Sequence, residues 1–172
     1  MRAVLKKPAL LLVIMASIET FKKESFVSLL GHKKNNDFLI ETAFPHQVVK
    51  HQFSGSVAER WDLILGLNTL LWKKYQVIGF CHSHPEFGQK RYDPNPSKQD
   101  VEIADDNNVY MIVGISTKKK IQTWQKTKTG GILGTWGKYR FEINAFWAPE
   151  DKKLEQIPLI CPSAYRLNAF KK

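Results

Sequence analysis

Two histidines stand one residue apart in the stretch CHSHP, residues 81 to 85, of a chain with five histidines in all. In a β-strand, residues i and i+2 point to the same face of the sheet, so the imidazoles of His82 and His84 can converge on one metal ion. The same alternation directs Cys81 to the opposite face, where we expect a buried apolar residue rather than a third ligand. Taken alone, the pair is also typical of a solvated strand end, so the choice between a metal site and two solvated histidines depends on other residues.

A serine and a carboxylate follow in the stretch PSKQD, twelve residues after His84. Ser97 and Asp100 have the spacing of a capping box at the start of a helix, which is a purely structural role. The first helical turn would also place both side chains at the helix mouth, and the long preceding loop lets that mouth face the end of the histidine strand. Two imidazoles and one carboxylate with an open fourth position suit catalytic zinc, and the same set also binds Fe(II).

A catalytic zinc lowers the pKa of its bound water to about 7, and the reaction still needs a proton acceptor. The stretch ESFVSLLG, residues 24 to 31, offers Glu24 for that role. Glu24 lies where the first predicted helix meets a strand that begins near Phe26. Its position alone is also typical of a solvated charge at a helix end.

The stretches ESFVSLLG, GFCHSHP and PNPSKQD resemble, in order and coarse spacing, the motifs of the JAMM (MPN-plus) zinc metalloprotease family. The resemblance covers roughly Val4 to Phe146 and is greatest to compact archaeal and bacterial members. It implies an α/β fold, with a three-layer mixed β-sheet and flanking helices of the cytidine-deaminase-like kind. We therefore expect a metalloprotease domain at 1–147 and a C-terminal tail at 148–172.

The resemblance also implies a role for each matching residue. It assigns the zinc ligands to His82, His84 and Asp100. Glu24 would act as general base and then as general acid, and Ser97 would help to stabilise the oxyanion.

Two features depart from the family pattern. The loop from Glu86 to Pro96 is longer than in many compact relatives, so the assignment of Asp100 rests on the PS-x-x-D motif, and Asp93 within the loop is the fallback ligand. Val27 stands where many members have glycine, which we do not expect to alter the chemistry.

The family implies a peptidase or isopeptidase that cuts after the C-terminal tail of a ubiquitin-like or sulfur-carrier protein. Such tails are extended, and an edge strand beside the site could bind one by strand addition. Lys90 and Arg91 in the long loop would attract an acidic modifier. Two alternatives stay open, a non-catalytic scaffold and a nucleic-acid-associated protein resembling the RadC-like proteins, which have asparagine where this chain has Ser83.

Length, cysteine content and net charge limit the size, compartment and partners of the protein. A chain of 172 residues, 43% of them hydrophobic, is long enough for one domain with a substantial core. Its two cysteines predict a protein of a reducing cytosol. The net charge of +10 favours an acidic partner, whether nucleic acid, an anionic membrane or a protein. Trp124, Trp136 and Tyr139, interleaved with lysines, support the nucleic-acid alternative.

Hydrophobic periodicity and turn residues predict the elements that must position these side chains. The apolar N-terminal stretch resembles a short signal peptide, but we favour a strand and then a buried helix that starts at Pro8 and reaches Phe21. Helical spacing is predicted again from Ser56 to Tyr75 and from Lys98 to Asp105. The tail is expected to pack as an extended arm. The predicted strands are Arg2–Leu5, Phe26–Leu30, Phe38–Phe44, His46–Phe53, Gln76–Cys81, Val109–Ile115, Ile121–Thr127, Ile132–Trp136 and Tyr139–Phe146.

Overall fold

The computed structural model of the protein describes residues 1–46, 74–86, 92–117, 120–150 and 153–170. The strands are Arg2–Leu5 (β1), Phe26–Lys34 (β2), Asp37–His46 (β3), Gln76–Pro85 (β4), Val109–Thr117 (β5), Gln125–Lys126 (β6), Ile132–Trp136 (β7), Tyr139–Trp147 (β8), Glu155–Ile157 (β9) and Leu159–Ile160 (β10). The helices are Lys7–Glu19 (α1), Lys98–Glu102 (α2) and Pro162–Arg166 (α3), with a 3₁₀ turn at Leu167–Phe170. The predicted strand beyond His46 and nearly all of the predicted helix from Ser56 lie outside the described residues.

The described strands form one mixed sheet of ten strands in the order β10-β1-β3-β2-β4-β5-β8-β7-β6, with β9 also paired to β8. β4 is parallel to β5 and antiparallel to β2, so the strand with both histidines lies in the middle of the sheet. β1 is parallel to β3 and β10, while β8 is antiparallel to its three neighbours. The α/β class is confirmed as a curled mixed sheet with few helices.

The main core lies between α1 and one face of the sheet. Pro8 occupies the first turn of α1, where its missing N–H costs nothing, and the helix buries Leu10, Val13 and Ile14. Cys81 belongs to this core and is 1% exposed, which confirms that it points away from the two histidines. Apolar burial on this scale, at roughly 25 cal/mol per Å², is the main stabilising contribution to the sheet.

The histidines point to the opposite face of the sheet. His82 is the register partner of Ile112, which belongs to a smaller buried cluster on that face. The members of this cluster are Ala104, Tyr110, Ile112, Phe146 and Ala148, with Phe80 and Leu154 packed against it. This face therefore combines a polar site with an apolar support.

The first hairpin differs from its prediction. The sequence predicts strands at Phe26–Leu30 and Phe38–Phe44 with residues 31–37 between them, but β2 continues through Gly31 to Lys34 and the turn contains only Asn35 and Asn36. Both asparagines have positive φ, 50° and 62°. A two-residue hairpin turn of this kind requires left-handed backbone, which asparagine tolerates, so no longer loop is needed.

The strand with the histidines is longer than predicted. β4 was expected to end at Cys81, but β5 pairs with it as far as Pro85, which is the partner of Ile115. Glu86 N donates to the Ile115 carbonyl, so the nitrogen of Pro85 faces the other side, where pairing with β2 has already ended at His82. A proline is tolerated at such a strand end because no ladder bond is lost.

Two other predicted elements are shorter in the structure. The helix from Lys98 ends at Glu102 instead of Asp105, and Asn107 then has a positive φ of 63°, which turns the chain into β5. The strand predicted over 121–127 retains only Gln125–Lys126. At Gln122, within the predicted strand, the Thr135 hydroxyl accepts from the backbone N and donates to the backbone carbonyl, in place of regular strand pairing.

The predicted tail, 148–172, joins the sheet where the structure describes it. β9 pairs with the end of β8, and β10 pairs with β1. Only Pro158 separates β9 from β10 in the sequence. Ala3 N donates to the Pro158 carbonyl at 2.9 Å, and Leu159 N donates to the Gly130 carbonyl at 2.9 Å. Leu159 and Cys161 are fully buried. The tail thus packs on the sheet and connects two of its distant strands.

Candidate metal centre

The structure brings together three of the side chains that the sequence singles out. One ligand atom from each of His82, His84 and Asp100 lies within 4.8 Å of the others, although they come from β4 and α2. The His82 and His84 Nε2 atoms are 2.9 Å apart. His82 Nε2 is 3.1 Å from Asp100 Oδ1, and His84 Nε2 is 3.6 Å from Asp100 Oδ2. Each of the three side chains is partly buried.

These separations match what a small four-coordinate ion requires. With ligand bonds of about 2.0–2.1 Å, the atoms of a tetrahedral site lie about 3.3 Å from each other. The observed 2.9, 3.1 and 3.6 Å bracket that value. Two imidazole nitrogens and a carboxylate oxygen are also donors that zinc accepts. The group can therefore hold a metal ion without rearrangement of the backbone.

Asp100 caps the start of α2 and also faces the two histidines. Ser97 N donates to Asp100 Oδ2 at 2.6 Å, and Asp100 N donates to Ser97 Oγ at 3.2 Å, which completes a capping box on α2. The cap fixes the carboxylate at the start of the helix, and Oδ1 is then directed toward His82. Ser97 is exposed, its oxygen accepts the cap bond from Asp100 N, and its side chain also hydrogen-bonds to the Asp100 carboxylate.

A backbone carbonyl from the long loop orients the second histidine. His84 Nδ1 lies 2.7 Å from the Asp93 carbonyl oxygen, so this nitrogen donates and Nε2 is left to face the other ligands. The side chain of Asp93, the fallback ligand, is engaged elsewhere, since its Oδ1 accepts from the backbone and side-chain amides of Asn95 at 3.0 and 2.8 Å. Asp93 thus contributes to the site through its backbone.

Glu24 is placed beside this group by the pairing of β2 with β4. Phe26 is the partner of His82, and two bonds continue the pairing, with Ser83 N donating to the Ser25 carbonyl at 3.2 Å and Ser25 N donating to Ser83 Oγ at 2.8 Å. Continuing the same antiparallel register puts Glu24 across from His84. Because side chains alternate along a strand, Glu24 then faces the same side as the two imidazoles.

The charges of the site shift three pKa values. Burial opposes ionisation of Asp100, but hydrogen bonds from His82 and His84 outweigh it and hold the pKa of the carboxyl well below its usual range. Burial also lowers the pKa of His84, but its hydrogen bonds to Asp100 and to the Asp93 carbonyl prevail and raise it above 6.5. Glu24 has a raised pKa because it is buried, and this prevails over the lowering effect of the imidazoles.

Sequence reasoning missed two contributors to the site. Ser83 appears in the motif only as the residue between the histidines, yet it is fully buried and links β4 to the backbone next to Glu24. Strand alternation alone, which turns Ser83 toward the core, could have suggested a polar partner there. The Asp93 carbonyl has no signal in the sequence, because any residue supplies a carbonyl. Lys90 and Arg91 lie outside the described residues.

The aromatic residues behind the nucleic-acid alternative are not equivalent. Trp124 is 2% exposed and stacks on Phe141 at 6.0 Å, so it offers no free face to a base. Trp136 is exposed at the turn before β8, and Tyr139 is half-buried against Phe21. The described residues therefore present one exposed indole in this region instead of a stacking platform.

Comparison with known proteins gives the fold a precedent. No protein-family model matches the chain, and no curated protein matches it. A structural-genomics target from Desulfitobacterium hafniense, solved in solution, superposes with a TM-score of 0.63 at 16% identity over 92% of both chains. A second solution structure, from Salinibacter ruber, gives 0.55 at 14% identity over 92% of this chain and 91% of that one. The likeness is one of fold. Among the described helices, none has the length and apolar character needed to cross a bilayer.

Proposed function

We propose that the protein is a zinc-dependent metallopeptidase or isopeptidase of the JAMM (MPN-plus) type. It would hydrolyse the bond after the C-terminal tail of a ubiquitin-like or sulfur-carrier protein in a reducing cytosol. The observation that carries the proposal is the convergence of His82, His84 and Asp100, at separations suited to zinc, beside a carboxylate from another strand. The curled sheet is compatible with the three-layer, cytidine-deaminase-like fold of that family, which forms part of the proposal.

The residues divide the chemistry between them. When bound, zinc would supply Lewis acidity toward the scissile carbonyl and toward water. Glu24 accepts a proton from the attacking water and returns it to the leaving amine, a task that suits a glutamate whose pKa burial has raised. Ser97, exposed at the mouth of α2, donates a hydrogen bond to the oxygen that gains negative charge. Ser25 and Ser83 hold Glu24 in place through their two hydrogen bonds.

The substrate class follows from the family resemblance and from charge. A net charge of +10 favours association with an acidic protein modifier. His82 is the last residue of β4 in register with β2, and His84 lies beyond that pairing, where an extended chain could approach it. The site faces away from the main core, on the side of the sheet that carries the smaller apolar cluster.

The test is cleavage of defined substrates by the zinc-loaded protein. A linear fusion and an isopeptide-linked conjugate of a ubiquitin-like or sulfur-carrier protein are incubated with wild type, with Glu24→Gln and with Glu102→Gln. We expect Glu24→Gln to lose about 10²- to 10⁴-fold in rate, because general acid–base catalysis contributes that much. Glu102 is exposed on α2 close to the site, so Glu102→Gln is the matched control and should cleave like wild type.

Three other outcomes would favour a different mechanism or function. Undiminished cleavage by Glu24→Gln would remove Glu24 from the mechanism. Stoichiometric zinc without cleavage of either substrate would favour the non-catalytic scaffold. A salt-dependent mobility shift with single-stranded DNA, in the absence of cleavage, would favour the RadC-like alternative.

A further inference from the structure

The ring of Tyr92, in the long loop, fills the space that a side chain at Gly114 of β5 would occupy. Gly114 is the register partner of His84 on one side and of Glu142 on the other. A Cβ atom built on Gly114 would lie 2.1 Å from Tyr92 Cδ2 and 2.7 Å from Tyr92 Cε2. Only glycine therefore leaves room for the ring, which lies on the sheet next to the second metal-ligating histidine.

Further contacts hold the loop in this seat. The Arg140 guanidinium lies 5.7 Å from the centre of the ring, whereas the Tyr92 hydroxyl comes only within 3.4 Å of Glu142 Oε2, which is long for a hydrogen bond. Asn144, which is 3% exposed, donates from Nδ2 to the Pro94 carbonyl at 3.3 Å. Residues on both sides of position 93 are thus fixed to β5 and β8.

The residue between these two anchors is the one that touches the site. The Asp93 carbonyl lies 2.7 Å from His84 Nδ1, a short bond for a neutral acceptor. A histidine that ligates a metal through Nε2 is commonly oriented by such a partner on Nδ1, which fixes both the ring angle and the tautomer. The carbonyl can do so only while the loop backbone is held at this distance.

We propose that Tyr92, seated over Gly114, is a positioning residue for the metal centre. Its ring holds the loop so that the Asp93 carbonyl accepts the hydrogen bond from His84 Nδ1–H, which keeps Nε2 directed to the metal. This inference rests on the proposed function in one respect, since it takes His84 as a ligand. In this proposal Tyr92 acts through the loop backbone.

The experiment compares wild type, Tyr92→Ala, Tyr92→Phe, Gly114→Ala and the double variant Gly114→Ala/Tyr92→Ala. Zinc affinity is measured by competition with a chromophoric chelator. The tautomer of His84 is read from ring ¹⁵N shifts of the metal-free protein at pH 9, above the ordinary pKa of histidine. His32, whose imidazole is exposed on β2, serves as the internal reference.

We expect Tyr92→Ala to weaken zinc binding about 10- to 100-fold, the usual effect of losing a partner behind a ligand. His84 should then show a mixture of tautomers while His32 keeps its shifts. Tyr92→Phe should bind zinc like wild type, because a hydroxyl contact of 3.4 Å is too long to be important. Gly114→Ala should weaken binding as Tyr92→Ala does, and should cost nothing further in the Tyr92→Ala background, where the added methyl group has room.

The inference is overturned if Tyr92→Ala leaves either the zinc affinity or the His84 tautomer unchanged. It is also overturned if Tyr92→Phe is as defective as Tyr92→Ala, because the ring would then not be the anchor. A wild type that binds no zinc refutes the proposed function instead. In that case the tautomer of His84 in the metal-free variants alone decides whether Tyr92 positions it.

Discussion

A buried histidine next to the site should make the stability of the protein depend on pH. His46, at the end of β3, is 9% exposed and shares a 2.8 Å hydrogen bond with Ser28, while Phe26 and Phe44 flank its ring at 5.2 and 5.4 Å. Burial lowers its pKa from 6.5 to about 4. The folded protein therefore binds fewer protons than the unfolded chain between these two values.

The sign and the size of the effect follow from this difference. Because the unfolded state binds the extra proton, the free energy of unfolding rises as the pH increases from about 4 to about 6.5. Above that range the contribution of His46 to stability is complete. A shift from 6.5 to about 4 corresponds to about 3 kcal/mol in total, at 1.36 kcal/mol per pH unit. Between pH 7.5 and pH 5, linkage gives a loss of about 2 kcal/mol.

Urea unfolding of the metal-free protein at pH 7.5 and pH 5 measures this loss. His84 also titrates, with a raised pKa that acts in the opposite direction, so the informative quantity is the difference between wild type and His46→Gln. We expect His46→Gln to lose about 2 kcal/mol less than wild type on acidification. His32→Gln, which removes an exposed imidazole from β2, is the matched control. Equal losses in wild type and His46→Gln would refute the reasoning.

Three further predictions concern the site and the tail. Zinc at 100 times its dissociation constant should raise the free energy of unfolding by about 2.7 kcal/mol, with no such gain in His84→Ala or after chelation, as seen in urea titrations with and without the metal. Ser83→Ala should cost about 1–3 kcal/mol by the same assay, because the buried amide of Ser25 loses its acceptor, and an undiminished stability would contradict this role. Leu159→Ala should cost about 2–5 kcal/mol, because the side chain is fully buried, whereas the exposed Tyr165→Ala should cost far less. Similar losses for the last two would mean that β10 is not part of the core.

Local rules predicted the parts of the site that depend on a single element. Strand alternation placed His82 and His84 together and Cys81 opposite, and the S-x-x-D spacing predicted the cap that fixes Asp100. Both rules concern side chains a few residues apart, for which the geometry of a strand or a helical turn suffices.

The rest depends on contacts between distant parts of the chain. The extension of β4 to Pro85 needs the parallel partner β5, and the orientation of His84 needs a backbone carbonyl, which every residue has. The packing of Tyr92 on Gly114 cannot be predicted from the sequence either. A glycine within a strand pattern indicates that another group approaches closely, but it does not identify that group. The pairing of the tail with β1 joins residues near opposite ends of the sequence, and no periodicity predicts it.

The parallel pairing of β1 with β10 has a consequence for synthesis. Ala3 is made long before its partner Leu159, which leaves the ribosome only after all the strands between them have been produced. Closing so long a loop carries a large entropy cost and slows folding, and the edge of β1 has to wait unpaired meanwhile. A nascent chain stalled before residue 159 would therefore expose a strand edge open to association with other chains, and a chaperone would have most to protect at that stage.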